Sequence, residues 1–240
     1  MCQVHDIYGF RRRTPGGWAD YMKFPAGAIN YKVPSDMPGH RAAMIEPLAC
    51  SLHAVDRGEI RFGDTVVIAG AGTLGLGMVA AARLKNPGRL VVLDMNDRRL
   101  EVARRLGADV TIHPGREDAV RRVLDMTEGY GCDVYLEATG HPDAVTQGLR
   151  MIRKLGTFVE FSVMAREVTA DWTIIGDGKE LNIHGAHLGP YCYPVAIDYI
   201  HRGRIDVDPI VTHRLPLEKY QEAIEMVHAA SDSIKVLLVP

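Results

Sequence analysis

Between residues 65 and 186 the chain switches repeatedly between two hydrophobic periods. "TVVIA" (65–69), "RLVVLD" (89–94), "DVTI" (109–112), "CDVYLEAT" (132–139), "GTFVEFS" (156–162) and "LNIHGA" (181–186) are short and largely apolar, most of them rich in β-branched residues. Such runs predict buried strands. The stretches between most of them carry apolar residues at helical spacing, predicting helices over 73–86, 117–127 and 142–154 and one in "DRRLEVARRLGAD". In that last segment Asp97 is the expected N-cap, Leu100, Val102, Ala103 and Leu106 the inward face, and Gly107 the stop. Strand–helix alternation implies parallel pairing with helices on both faces. Right-handed crossovers then give an α/β fold, a doubly wound six-stranded parallel sheet of the Rossmann kind, from about residue 60 to about 190.

The flanks read differently. Residues 16–34, "GGWADYMKFPAGAINYKVP", alternate apolar and polar around Pro25 and Gly27, which predicts short antiparallel strands and turns. They read as the end of a β-rich domain, with no second complete core before residue 40. Two helices, near 193–202 and 216–230, and a last strand "IKVLLV" (234–239) close the chain.

Composition narrows the function. A net charge of −2 provides no general basic field, so neither nucleic acid nor a membrane surface is an expected partner. The triplet Arg11-Arg12-Arg13 is short and reads as a solvated loop. No apolar run is long enough to span a bilayer, and "MCQVHDIYGFRRR" has no apolar signal-peptide region. The four cysteines, Cys2, Cys50, Cys132 and Cys192, are far apart and form no CxxC pair. Reduced thiols in a cytoplasmic protein are the default expectation.

The chemistry sits at the first strand–helix turn. "TVVIAGAGTLGLG" holds Gly70-x-Gly72-x-x-Gly75 after a strand and before a helix, with a second strand following. Gly70 allows the tight turn, Gly72 lets backbone approach a pyrophosphate, and Gly75 and Gly77 allow close packing. Thr73 and Leu74, inside the motif, open the helix whose N-terminus faces the phosphates. Asp94 stands 24 residues after Gly70, at the end of the second strand. A carboxylate there accepts the ribose hydroxyls and repels a 2′-phosphate, which favours NAD over NADP, although Arg98 and Arg99 lie close by. Glu46, alone among apolar residues in "AAMIEPLACSLHAV", reads either as a helix N-terminal carboxylate beside Pro47 or as part of a site. His53, His184 and His187 read first as structural histidines, and Cys50 as a wall rather than a nucleophile.

Taken in order, "EPLACSLHAV", "GDTVVIAGAGTLGLG", "VVLDMNDRRLEVARRLGAD", "CDVYLEATG" and "SIKVLLVP" resemble the zinc-dependent medium-chain alcohol dehydrogenases over essentially the whole chain. The nearest branch is that of the sorbitol, threonine and polyol dehydrogenases. "MCQVHDIYGF" and "NIHGAHLGPYCYPVAIDYIHRGRI" are similar to erythritol/threitol-type members. The resemblance implies reversible hydride transfer from a secondary alcohol or polyol to NAD. It implies cofactor contacts from Gly70, Gly72, Gly75 and Asp94, with Arg99 beside the adenosine ribose and Thr139 and Gly140 near the adenine. It further places Phe161, Ser162 and Val163 near the nicotinamide, Ala186 and Leu188 at the carboxamide, and Lys235 near the pyrophosphate.

The departure is in the metal site. In that family a Cys and a His-Glu pair, all well upstream of the glycine loop, hold a catalytic zinc, and Glu46 matches the exchanging acid before the loop. Cys2 matches the last cysteine of a structural zinc lobe. The other ligands have no counterpart in these 240 residues. The expected organisation is therefore a remnant of a GroES-like catalytic domain (1–50), an NAD-binding domain (51–190) and a C-terminal part (191–240) that partly returns to the catalytic domain. Expected too are a zinc site reduced to Glu46, with no zinc held by the chain alone, and a homodimer or homotetramer joined near 181–186. A non-catalytic NAD-binding or interaction module is the rival reading.

Overall fold

The computed structural model describes residues 7–9 and 16–240, so Cys2 and Arg11–Arg13 lie outside the described residues. The first regular elements are a short α1 (Gly39–Ala42) and α2 (Ile45–Arg57). Then follow β1 (Thr65–Ala69), α3 (Thr73–Leu84), β2 (Arg89–Leu93), α4 (Asp97–Arg105), β3 (Val110–Ile112), α5 (Ala119–Met126), β4 (Cys132–Glu137), α6 (Pro142–Met151), β5 (Ile152–Glu160) and β6 (Asn182–Gly185). The six strands form one parallel sheet in the order β3-β2-β1-β4-β5-β6, which is the doubly wound arrangement. The chain reverses direction across the sheet between β1 and β4, so the carboxyl ends of these two strands flank the crevice.

The alternation of side chains along β1 explains the two layers. Val66 and Ile68 enter one core with Leu48 of α2 and Leu76 of α3, while Val67 and Ala69 enter the other with Val123 of α5 and Leu149 of α6. Each fully buried Val or Ile contributes about 1.5–3 kcal/mol, so β1, buried on both faces, anchors both layers. α2 packs tightly on α3 because Gly77 has no side chain: a Cβ there would stand 2.5 Å from Ser51 Oγ. The Ser51 hydroxyl lies 2.9 Å from the carbonyls of both Pro47 and Leu74, donating to one at a time.

Several expectations need correction. α4 is capped by Asn96, not Asp97. The Asn96 side chain accepts from the backbone N–H of Arg98 and Arg99, and Asp97 instead pairs with Arg116. The fourth predicted helix stops at Met151, and residues 152–154 already belong to β5. Lys179 Nζ donates to the carbonyls of Leu149, Arg150 and Ile152, and this cation satisfies the helix end. No strand forms over residues 16–34. No neighbouring strand offers a ladder there, and Trp18, Tyr21, Phe24 and Ile29 remain exposed.

After α7 (Tyr193–His201), a strand that the pattern did not predict, β7 (Val211–Pro216), pairs in parallel with β8 (Lys235–Val239). α8 (Tyr220–Ala229) follows a single 3₁₀ turn over Leu217–Lys219. A single pair of strands is marginal by itself. Together with the exposed aromatics of 16–34, it leads us to expect that the isolated chain binds an apolar dye or self-associates. A sharp monomer boundary in sedimentation, without dye binding, would contradict this.

No helix among the described residues is long and apolar enough to cross a membrane.

Candidate cofactor cleft and the acid beside it

The glycine turn is built by contacts that leave no room for side chains. Gly70 has φ +99°, a left-handed conformation, and its N–H donates to Leu93 O at 2.7 Å. A Cβ on Gly75 would sit 1.9 Å from Gly70 O, so the first turn of α3 lies directly against the loop. A Cβ on Gly72, in contrast, would meet nothing within 4 Å. That open face at a helix N-terminus suits a phosphate group.

Asp94 closes one wall. Its Oδ2 accepts the Ala71 N–H at 2.7 Å and its Oδ1 accepts the Asn96 N–H at 2.8 Å. A carboxylate has about four lone-pair positions, so each oxygen keeps one for a diol. A cleft of about 680 Å³ opens between the loop after β1 and the start of α6. Gly70, Gly72, Asp94, Arg99 and Thr139, all singled out in the sequence, line it. His141, Asp143, Gln147, Met95 and Gly115 line it too, and no local sequence signal marked them. Arg99 donates from Nη2 to Ser233 O at 3.1 Å, while its buried Nε has no partner. A buried donor left unpaired costs about 1–3 kcal/mol, and a ligand in this cleft is one way to satisfy it.

The other named residues fall on three neighbouring segments. Thr73 Oγ1 donates to Ile234 O at 2.9 Å, which brings Lys235, the first residue of β8, beside the start of α3. Leu74, next to Thr73, packs its half-buried side chain against the core and offers its carbonyl to Ser51. Gly140, φ +70°, abuts the segment after β5: a Cβ there would lie 2.8 Å from Val163 O. In that segment Phe161 packs into the core, Ser162 Oγ donates to Glu137 O at 3.4 Å, and Val163 is exposed. Ala186 is buried and donates its N–H to Glu160 O at 2.8 Å, and Leu188 is partly exposed with φ +54°.

Glu46 lies in the first turn of α2, exposed, although Ile45, Pro47 and Leu48 around it are buried. Cys50 Sγ donates to its Oε1 at 3.2 Å. Burial, reinforced by the Glu46 carboxylate, pushes the Cys50 thiol well above its ordinary range, so it is a neutral donor. Burial, followed by the same carboxylate, also pushes the Tyr193 phenol up to about 12; its ring stacks on Tyr31 at 5.7 Å between centroids. His53 is held below the usual imidazole value by burial and by Arg57. His184 Nδ1 bonds to Arg57 O at 2.8 Å, a structural contact.

Residues 73–202, from the first turn of α3 to just past α7, match the zinc-binding dehydrogenase family. The chain belongs to this family. Among the relatives of this zinc-binding dehydrogenase is the erythritol/L-threitol dehydrogenase of Mycolicibacterium smegmatis, 52% identical over 240 residues, which are all of this chain and 66% of that protein. The solved alcohol dehydrogenase of Thermus sp. ATN1 is similar with a TM-score of 0.85 and 28% identity, covering 97% of this chain and 68% of that one. Two further structures hold cofactor. A zinc-binding dehydrogenase from Sinorhizobium meliloti is bound to NADP (TM-score 0.81, 29% identity, 88% of this chain and 62% of that one). The rspB alcohol dehydrogenase of Escherichia coli is complexed with NADH (TM-score 0.80, 26% identity, 88% and 62%). The chain thus spans about two thirds of the length of its curated relative.

Proposed function

We propose that this chain binds NAD(H) in the cleft beside Asp94, as the cofactor-holding part of a dehydrogenase acting on a secondary alcohol or polyol. The observation that carries the reading is the Asp94 carboxylate, fixed by two backbone N–H groups yet with acceptor capacity left over, beside the open Gly72 face. When bound, NAD supplies the hydride acceptor. The chain's own residues hold and orient it. Asp94 takes the ribose hydroxyls, the α3 N-terminus and Lys235 the pyrophosphate, and Arg99 with Thr139 the adenosine. The segments 161–163 and 186–188 form the nicotinamide wall. Asp94 disfavours a 2′-phosphate by charge repulsion, so NAD is preferred although one relative carries NADP. The 52%-identical erythritol/L-threitol dehydrogenase supports a polyol as substrate.

Zinc does not fit the described residues. No group of three His, Cys, Asp or Glu side chains among them is placed to hold a metal ion. Among the described residues Glu46 has beside it the neutral Cys50 thiol and the neutral Tyr193 phenol, whereas catalytic zinc sites use three protein ligands. The alternative is an NAD-binding module without turnover of its own. We also propose assembly as a homodimer or homotetramer across the edge strand β6, where Asn182, Ile183 and Gly185 are exposed, in the cytoplasm.

Fluorescence titration of the purified chain with NADH and NADPH tests the cofactor assignment. Tighter or equal NADPH binding would refute it. Metal analysis and a polyol-coupled assay on the same sample are expected to give neither stoichiometric zinc nor turnover; either one would mean that ligands outside the described residues complete the site.

A further inference from the structure

Two carboxyl groups lie beneath the cleft, and neither is explained by the cofactor contacts above. Glu137 ends β4 and Glu160 ends β5, and the two are register partners in adjacent parallel strands. Their side chains therefore leave the sheet on the same face. Glu137 is fully buried. Its Oε1 accepts the Thr139 N–H at 2.7 Å and the Thr139 hydroxyl at 2.5 Å, and its Oε2 accepts the Gly140 N–H at 3.3 Å. Three donors are thus aimed at the Glu137 carboxylate. Glu160 differs: its Oε1 is buried with no partner. Burial and the neighbouring Glu137 carboxylate both disfavour a charge on Glu160.

Each acid underpins one of the two ligand-facing segments. Glu137 ties down the turn 139–140, and Glu160 begins the segment 161–163. The segments also touch: Ala165 N–H donates to Gly140 O at 3.2 Å, and Gly140 abuts Val163 O. A second negative charge at Glu160 would act on both. We infer that Glu160 is a positioning residue that must be protonated for the turn 139–140 and the segment 161–163 to receive the dinucleotide, so that cofactor binding takes up a proton there. This rests on the NAD(H) reading above.

Burial, and next to it the Glu137 charge, pushes the Glu160 carboxyl up to about 7. The backbone N–H of Ser162, in the segment that Glu160 begins, donates to the Glu160 carboxylate and works in the opposite direction. Tyr135, two residues before Glu137, is a neutral phenol donating to Ala144 O. At the start of α6 stand His141, whose Nδ1 caps Asp143 N–H, and Asp143 itself. From β6 the partner of Glu160 is Gly185, and His184 lies on the opposite face with Val159.

The sign follows from charge. The pyrophosphate brings negative charge, so binding raises the Glu160 pKa further and affinity falls as pH rises through about 7. One linked proton changes affinity by at most about tenfold per pH unit.

NADH affinity measured by fluorescence from pH 5.5 to 8.5 is the test, with Glu160→Gln, a neutral isostere, and His141→Asn, which retains a helix-capping side chain. We expect wild type to bind roughly tenfold more weakly at the top of the range than at the bottom. Glu160→Gln should bind with the low-pH affinity throughout. His141→Asn should keep the slope, whatever its absolute affinity. A flat wild-type profile with good binding would overturn the coupling alone, as would a slope surviving in Glu160→Gln or lost in His141→Asn. Absence of NADH binding at every pH would overturn the cofactor reading and the coupling with it.

Discussion

Gly75→Val is expected to cost this chain its glycine turn. The Cβ alone would lie 1.9 Å from Gly70 O, well inside contact distance, and the obstacle is backbone rather than a side chain that can swing away. Gly70 in turn is hemmed in: a Cβ there would meet Ala138 O at 2.6 Å. Relief must come from α3 moving off the sheet, which would pull Leu76 and Val79 out of the core they share with α2. Overpacking typically costs about 1–3 kcal/mol, and a backbone clash belongs at the upper end, roughly 6–12 °C in melting temperature for a chain of this size. Thermal melting and NADH titration measure the two effects. A variant that melts within a degree or two of wild type and still binds NADH would show that the turn yields more easily than these contacts allow.

Asp94→Ala should be the most damaging single change for cofactor affinity. It removes a charged acceptor for the ribose, worth about 1.5–3 kcal/mol, or roughly a 10- to 150-fold loss in NADH affinity. It also strips the buried Ala71 of the acceptor for its N–H, so stability falls as well. Asp94→Asn separates the two effects. Its amide oxygen can still accept from Ala71 but its NH2 cannot accept from Asn96, so stability should return in part, while without the charge NADH should still bind less tightly and the preference over NADPH should narrow. If Asp94→Ala left the NADH to NADPH ratio untouched, the carboxylate would not be what reads the ribose.

The parts of the fold visible in the sequence are those specified by short-range pattern. The strands β1, β2 and β4 are apolar runs ending at glycine or an acid, and Gly70-x-Gly72-x-x-Gly75 with Asp94 marks the crevice unaided. What escaped notice depends on distant partners. β7, "VTHRLP", carries His, Arg and Pro and gains its strand character by pairing with β8, more than twenty residues on. Residues 16–34 alternate like strands but find nothing to pair with. Asn96 outcompetes Asp97 for the cap because it is also fixed to Ser231 O from the C-terminal segment. The Glu137–Glu160 pair is set by strand register, which no local window contains.

The contact between Gly77 and Ser51 has a mechanical consequence. Because α2 is keyed into α3 there, with the Ser51 hydroxyl reaching a carbonyl on each helix, the two helices cannot slide or rock apart without breaking that contact. Glu46, in the first turn of α2, therefore travels with the phosphate-binding turn as one rigid piece. The exposed carboxylate of Glu46 is in this way kept at a fixed distance from the glycine turn.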